Sequence, residues 1–298
     1  MIFISHNSRA AGALAGLAVG DAFGAPYEGF PPPRYGNPKL SSGGRFKVNT
    51  GEFTDDTEQA LAIAGSLIKC GYFEPNDVMR NLISAYAHHP QFYGPTSSSV
   101  FARVQNGCAP LDASREIYEQ GGGRSNGSAM RGTPLGIFYP PAEVWEVSVV
   151  CSKLTHYHPV ACECSAVVNT MISCLCRGAQ RKEAHSYAVA RVTLPEIRDV
   201  LGNPHRYPLI PSLDALEATH CAIALFLNNE TYAEIVKAAV MLGGDTDTIA
   251  AIGGAMGGAW LGMKAIPSQW MAQIQRIDEI IAIADCLVTL RKDVTDRS

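Results

Sequence analysis

Two short acidic segments contain the residue types that most readily bind a metal ion. The first reads TDDT over residues 54–57, and the second reads GGDTDT over residues 243–248. Each stands at the start of an apolar helical pattern, at 58–68 and at 249–262. Carboxylate and hydroxyl oxygens are the ligands that hard divalent cations such as Mg²⁺ and Mn²⁺ prefer. The sequence therefore predicts that the fold brings the two segments together around a metal site.

Helix capping is the alternative explanation for each acidic segment, because Asp and Thr are frequent N-cap residues. Capping needs one residue rather than four, and adjacent like charges are costly unless a cation neutralises them. Consecutive residues do not share one face of a helix, so the ligands are expected in the turn that enters each helix. A helix N-terminus disfavours a cation, so several carboxylates are needed, and the two segments supply four.

The length and composition indicate a folded protein with a sizeable core. The chain has 298 residues, of which 47% are hydrophobic and 17% are charged, and this balance argues against disorder. The length suits one large domain or two ordinary ones. A net charge of −4 and a pI near 6.1 give no electrostatic reason to expect nucleic acid or an anionic membrane as a partner.

The nine cysteines form an odd-numbered set, which argues against a disulfide framework and favours a reducing compartment, the cytoplasm. Two C-x-C pairs, at 162–164 and 174–176, differ from the C-x₂₋₄-C spacing of zinc sites and lie in apolar segments. They are expected to be buried thiols.

Two apolar stretches could be mistaken for membrane-targeting segments. Residues 10–20 follow Arg9 as in a signal peptide, but the run is short and is expected to be a buried helix. Residues 248–263 are uncharged for 16 residues, short of the roughly 20 that span a bilayer. The glycines at 253, 254, 257, 258 and 262 instead indicate close contact between helices in a globular core.

Helical patterns recur along the chain, and no segment alternates as a strand does. The predicted helices are 10–22, 58–68, 76–87, 160–177, 184–191, 214–227, 231–242 and, as one or two helices, 268–293. Two segments rich in Pro, 31–49 and 88–99, are expected to be loops. No repeat or linker divides the chain. The prediction is one all-α domain over 1–298, a single compact orthogonal helical domain with its active site on loops at helix N-termini.

A glycine-rich loop at 121–131, GGGRSNGSAMR, could bind an anion through its backbone N–H groups. A flexible connector would have the same composition, and the segment matches neither the Walker nor the Rossmann pattern. His156 and His158 are expected to form hydrogen bonds, because imidazole prefers softer metals than these carboxylates do. Pro159 suits the first position of a helix, which places His158 at its cap and facing any cleft there.

Five motifs together resemble the ADP-ribosylglycohydrolase family. They are GDAFGAPYE at 20–28, GEFTDDT at 51–57, SNGSAMR at 125–131, LTHYHP at 154–159 and GGDTDTIAAIGG at 243–254. They occur in the family's order and span most of the chain. The two acidic motifs are the most specific of the five, and the glycine loop is moderately so.

The resemblance implies an all-α fold with two Mg²⁺ or Mn²⁺ ions in a central cleft. By motif position, the implied metal ligands are Thr54, Asp55, Asp56, Asp245, Asp247 and Thr248, with Asp247 as the bridging carboxylate. Glu28, which alone would be an ordinary loop carboxylate, matches an acidic residue near the scissile bond. The implied substrate-binding residues are Ser125, Asn126, Gly127 and Ser128 at the diphosphate and His158 near the phosphates and ribose.

The function that the resemblance implies is removal of ADP-ribose from protein side chains by metal-assisted attack of water at C1″. Asp55, Asp56 or Glu28 could act as the proton-transfer group, and the sequence leaves this open. An arginine linkage is expected first and a serine linkage second. A small ADP-ribose derivative as substrate, a non-cleaving reader of ADP-ribose and a crystallin-like structural protein are the alternatives. The residue that stacks on adenine also stays open among Phe92, Tyr93, Tyr157, Tyr207 and Phe226.

Overall fold

The computed structural model describes residues 4–33 and 37–295, which form helices joined by loops and short 3-10 turns. The helices are α1 (His6–Gly24), α2 (Asp55–Cys70), α3 (Pro75–His88), α4 (Pro95–Gln105), α5 (Pro110–Glu119), α6 (Thr133–Phe138), α7 (Val144–Lys153), α8 (Pro159–Cys176), α9 (Arg181–Val189), α10 (Pro195–Gly202), α11 (Ala215–Asn228), α12 (Tyr232–Val240), α13 (Thr246–Leu261), α14 (Ser268–Met271) and α15 (Ile277–Thr295). Within those described ranges β-pairing is limited to two isolated bridges, Gly43 with Val48 and Ser125 with Asp214. The all-α prediction is confirmed.

The antiparallel pair α1 and α13 forms the centre of the fold, and glycine makes its close contact possible. A Cβ at Gly16 would lie 2.4 Å from the carbonyl oxygen of Gly254, and a Cβ at Gly20 would lie 2.1 Å from that of Ala250. Such distances leave no room for a side chain, so the two backbones approach directly. This pairing places the C-terminal end of α1 against the N-terminal end of α13, where the second acidic segment lies.

The glycines of α13 divide between two neighbouring helices. Gly254 and Gly258 face α1, whereas Gly253 and Gly257 each lie 3.0 Å, measured from an added Cβ, from the side chain of Ile235 on α12. The predicted close helix contacts are confirmed for these four residues. Gly262 also meets α1, because an added Cβ would lie 3.0 Å from Ser8 Oγ, and it ends α13 with a φ of 78°.

The helix α8 is the only one in the described part of the chain with the length and hydropathy to cross a membrane, and 94% of it is buried inside the protein. This is the pattern of a core helix. Its two C-x-C pairs, like the other cysteines, are free thiols, and those of α8 are buried, as predicted.

The helices that the sequence missed mostly begin at proline. The segment 88–99 was expected to be a loop, but it contains a 3-10 turn at Pro90–Phe92 and the start of α4 at Pro95. Helices α5 and α10 likewise begin at Pro110 and Pro195. Proline fits the first helical turn because its nitrogen needs no hydrogen-bond partner there. The other missed helices are the short α6 and α7.

Candidate active site

The two acidic segments meet in one cleft of about 370 Å³, as the sequence predicts. Asp55 and Asp56 come from the start of α2, Asp245 and Asp247 from the start of α13, and Glu28 from the loop after α1. The expectation that these aspartates precede the helices was wrong for three of the four. Asp55 and Asp56 open α2 and Asp247 lies in the first turn of α13, whereas Asp245 is the N-cap of α13. In the first turn, successive side chains can still reach a cleft that lies beyond the helix end.

A buried carboxylate that the sequence analysis overlooked, Asp21 of α1, holds the start of α2. Asp21 accepts hydrogen bonds from the backbone N–H of Thr54 at 2.9 Å and of Thr57 at 3.0 Å. It also accepts from their hydroxyls, at 2.8 Å and 2.6 Å. These bonds satisfy donors that the first turn of α2 leaves free. The available signal was a single acidic residue inside an otherwise apolar helix.

Glu28, Asp245 and Asp247 form the tightest carboxylate cluster in the described part of the chain. One oxygen from each lies within 4.8 Å of the others. Asn126 donates its side-chain N–H to Asp245, and the backbone N–H of Thr248 donates to Asp247 at 2.9 Å. The side chain of Thr248 also lines the cleft.

The electrostatics of the cleft are those of crowded, buried carboxylates. Burial, reinforced by the charge of Asp247, raises the pKa of Glu28 to about 8, and burial raises the pKa of Asp21 to about 7. The pKa values of Asp55 and Asp56 are raised well above the ordinary range for the same reason.

Two buried oxygens, Glu28 Oε2 and Asp56 Oδ1, have no hydrogen-bond partner in the described structure. Unpaired buried carboxylate oxygens facing other carboxylates fit a cation-binding site, because a divalent cation would both pair the oxygens and offset the repulsion. The donor set, all oxygen, fits Mg²⁺ or Mn²⁺.

A further part of the cleft wall comes from the glycine-rich loop, of which Ser125, Asn126 and Gly127 line the cleft. Ser128 is turned away: it is buried, accepts a hydrogen bond from the hydroxyl of Ser152 at 2.8 Å and contacts the carbonyl oxygen of Ala161. Three of the four loop residues predicted to bind substrate therefore line the cleft.

The histidine that lines the cleft is His156 rather than His158. His158 caps α8 as expected, accepting a hydrogen bond from the backbone N–H of Val160 at 3.1 Å, and its ring lies against Tyr118. A Cβ at Gly127 would lie 2.9 Å from the imidazole of His156, so glycine makes room for this ring.

Only two of the five aromatic residues considered for adenine, Phe92 and Tyr93, line the cleft. Phe92 packs edge-to-face on Phe46 at 5.3 Å, and the hydroxyl of Tyr93 donates to Glu58 at 3.2 Å. Phe46 lines the cleft too and was not considered from the sequence. The three others lie elsewhere: Tyr157 beside Tyr118, Tyr207 against Asp199 and Phe226 buried beside Trp260.

The chain is similar to known proteins over nearly its whole length. The family described as ADP-ribosylglycohydrolase matches residues 4–297. The ADP-ribosyl-[dinitrogen reductase] glycohydrolase of Rhodospirillum rubrum is 27% identical over 94% of this chain and 98% of its own length. The ADP-ribosylarginine hydrolase Tri1 of Pseudomonas putida (strain GB-1) is 30% identical, over 89% and 74%. The ADP-ribosylhydrolase ARH3 of Homo sapiens is 25% identical, over 94% and 93%.

A solved structure described as an ADP-ribosylglycohydrolase-related protein complex has the same fold. It superposes with a TM-score of 0.86 at 29% sequence identity, covering 96% of this chain and 99% of that chain. The resemblance seen in the five motifs thus extends to nearly the whole sequence and to the arrangement of the helices. The chain belongs to the ADP-ribosylglycohydrolase family and is a hydrolase of glycosyl bonds.

Proposed function

We propose that the protein is a metal-dependent hydrolase that removes ADP-ribose from arginine side chains of proteins. The observation that carries the proposal is the meeting of both acidic helix starts, Glu28 and a polar glycine-containing loop in one cleft. Two relatives named for dinitrogen reductase and arginine linkages support this class of substrate. A cytoplasmic location is also inferred, because nine free thiols are typical of a reducing compartment.

Two divalent cations, Mg²⁺ or Mn²⁺, would be held by Thr54, Asp55, Asp56, Asp245, Asp247 and Thr248. Asp247 would serve both cations, because its charge acts on carboxylates from both segments and on Glu28. The hydroxyl of Thr54 donates its hydrogen to Asp21, which leaves its lone pairs available. When bound, such cations orient ribose hydroxyls and lower the pKa of a water molecule.

The substrate's diphosphate is proposed to lie against the loop at Ser125, Asn126 and Gly127, beside His156. Backbone N–H groups and hydroxyls of such a loop suit phosphate oxygens. Phe92, paired with Phe46 at the same cleft, is the proposed partner of the adenine ring. Ser128 and His158 would act indirectly, by supporting the loop and by capping α8.

Glu28 is the proposed proton-transfer group. In the absence of cations, burial and the charge of Asp247 raise its pKa to about 8, and Oε2 has no partner among the described residues, so this carboxyl is available to exchange a proton in the cleft. Asp55 and Asp56 would then serve the cations, and the carboxylates together would stabilise positive charge that develops at C1″. A leaving group bearing positive charge, such as guanidinium, suits the acidic surroundings of Glu28.

The test is release of ADP-ribose from arginine- and serine-ADP-ribosylated peptides with Mg²⁺, with Mn²⁺ and with EDTA. We expect metal-dependent release from the arginine peptide and none with EDTA. Release from the serine peptide alone would replace the arginine assignment by the serine one. No release from either, with ADP-ribose still bound, would favour a small-molecule hydrolase or a reader.

A further inference from the structure

The guanidinium of Arg131, in the turn before α6, is completely buried between the two walls of the cleft. It donates to the side-chain oxygen of Gln59 at 2.8 Å, to the hydroxyl of Thr155 at 2.8 Å and to the carbonyl oxygen of Cys151 at 3.2 Å. It has no ion pair within the described ranges. Burying an unpaired charge is costly, so its placement calls for a reason beyond stability.

One arm of this hydrogen-bond network leads to the acidic side of the cleft, where Asp55 lies. A guanidinium can only donate hydrogen bonds, so Gln59 must turn its carbonyl oxygen towards Arg131. The amide N–H₂ of Gln59 then faces the other way, where it donates to Asp55 Oδ2 at 2.7 Å. Arg131 therefore sets which end of Gln59 meets the carboxylate, and that contact fixes the rotamer of Asp55.

The other arm of the network leads to the side of the cleft formed by the glycine-rich loop, where Ser125 lies. Because the hydroxyl of Thr155 accepts from Arg131, its own hydrogen is free for His156 Nδ1, which lies 2.8 Å away. The described residues offer this hydroxyl hydrogen no other acceptor, so the arrangement that pairs it makes Nδ1 the acceptor and leaves the ring proton on Nε2. Nε2 lies 3.0 Å from the hydroxyl of Ser125.

An uncharged imidazole is consistent with an acceptor at Nδ1 and a donor at Nε2. Burial, with the nearby charge of Arg131, lowers the pKa of His156 to about 3, so the imidazole is uncharged at neutral pH. A neutral ring can donate from one nitrogen only. The tautomer therefore decides whether His156 offers a donor to the cleft.

We propose that Arg131 is a positioning residue that fixes the direction of the hydrogen bonds on both sides of the cleft, at Asp55 and at His156. Through Gln59 it orients a donor onto Asp55, and through Thr155 it holds His156 in the tautomer whose Nε2–H faces Ser125. Resting on the proposed function, this makes Ser125 the acceptor of the Nε2–H of His156, so that the hydroxyl hydrogen of Ser125 can turn to the substrate's phosphate oxygens. The ligand specificity of the cleft is thus set in part by a residue that does not line it.

The tautomer can be measured directly by ¹⁵N NMR of the imidazole in the ligand-free protein. We expect the Nε2–H form in the wild type and loss of that preference in Thr155→Val. The matched control is Thr170→Val in α8, a buried threonine whose hydroxyl has no partner within the described ranges, and it should leave the tautomer unchanged. An Nδ1–H ring in the wild type, or an unchanged ring in Thr155→Val, would overturn the proposal.

Measurements of ADP-ribose and Mn²⁺ affinity test the two arms of the network separately. Thr155→Val is expected to weaken ADP-ribose binding about tenfold without changing Mn²⁺ affinity. Gln59→Met is expected to weaken Mn²⁺ binding about tenfold. If Arg131→Met does not fold, these two variants still decide, and wild-type affinities in both would overturn the proposal. Failure of the wild type to bind ADP-ribose would count against the proposed function, while the NMR result would still test the tautomer.

Discussion

The starts of α2 and α13 carry the same kind of acidic segment, but the protein supports them in different ways. The start of α2 rests on side-chain chemistry: Asp21 accepts hydrogen bonds from the N–H and hydroxyl of both Thr54 and Thr57. The start of α13 rests on backbone contact. A Cβ at Gly24 would lie 2.5 Å from the Cα of Asp247, and the hydroxyl of Thr246 donates to the carbonyl oxygen of Gly24 at 2.9 Å.

Both supports come from the last turn of α1, with Asp21 and Gly24 three residues apart. Helix α1 therefore aligns both halves of the site. It holds the start of α2 through the buried carboxylate of Asp21, and it contacts the start of α13 through Gly24, which has no side chain. Because the supports differ in chemistry, each half can be perturbed separately.

The substitution Asp247→Asn should cause the largest change in activity, because the charge of this carboxylate acts on carboxylates of both segments. We expect a loss of roughly 10³-fold in kcat/KM, about 4 kcal/mol of transition-state stabilisation. The metal-free variant should melt at a higher temperature than the wild type, since one of several mutually repelling carboxylates is gone. Loss of the helical circular dichroism signal would instead mean that Asp247 is structural.

The substitution Gly20→Ala tests the backbone support of α13. Its new Cβ would lie 2.1 Å from the carbonyl oxygen of Ala250, so α1 and α13 must separate, at a cost of about 3 kcal/mol in the free energy of unfolding. The matched control is Gly65→Ala on α2, where only Asn81 lies nearby, at 3.8 Å. The control should be neutral or stabilising, by up to about 1 kcal/mol. Equal effects of the two substitutions in urea unfolding would refute the close-contact account.

The substitution Asp21→Asn tests the polar support of α2. An amide in place of the carboxylate leaves donors at the start of α2 without an acceptor, and we expect a loss of about 2 kcal/mol in the free energy of unfolding. Activity should fall with it, as Asp55 and Asp56 lose their alignment. Asp112→Asn, which removes an exposed carboxylate 3.4 Å from Arg115, is the control and should change stability by less than about 1 kcal/mol. A stable, fully active Asp21→Asn variant would contradict the account.

Removal of the metal should make stability depend on pH. The folded-state pKa values of Asp21 and Glu28, about 7 and about 8, lie above the value of about 4 for unfolded carboxyls. The folded protein thus binds more protons between these limits, and its stability falls as pH rises from about 4 to about 8. With EDTA we expect Tm to fall by about 5 °C from pH 5 to pH 8, and with Mg²⁺ to fall less. A Tm that rises from pH 5 to pH 8 in EDTA would contradict the raised pKa values of Asp21 and Glu28.

Much of the architecture followed from local patterns in the sequence. Long apolar periodicities gave α1, α2, α8 and α13, and the two acidic segments were identified because the surplus of carboxylates exceeds what capping needs. Helices that open with proline, such as α4 at Pro95, were missed because proline also breaks helices, and the local sequence does not separate these roles.

The site residues that the sequence missed depend on contacts between distant segments. Asp21 acts on residues 33 and 36 positions away, a relation that no local pattern encodes. His156 and His158 are two positions apart, and only the turn before α8 decides which ring enters the cleft. The Arg131 network likewise joins α2 to the segment before α8.

Titration of Mn²⁺ by calorimetry tests directly whether the two helix starts form one metal site. A site shared by the two helix starts predicts two ions per chain in the wild type and a loss of binding to both in Asp247→Asn, because the charge of Asp247 acts on carboxylates of both segments. A stoichiometry of one, or two ions still bound with unchanged affinity in Asp247→Asn, would contradict it.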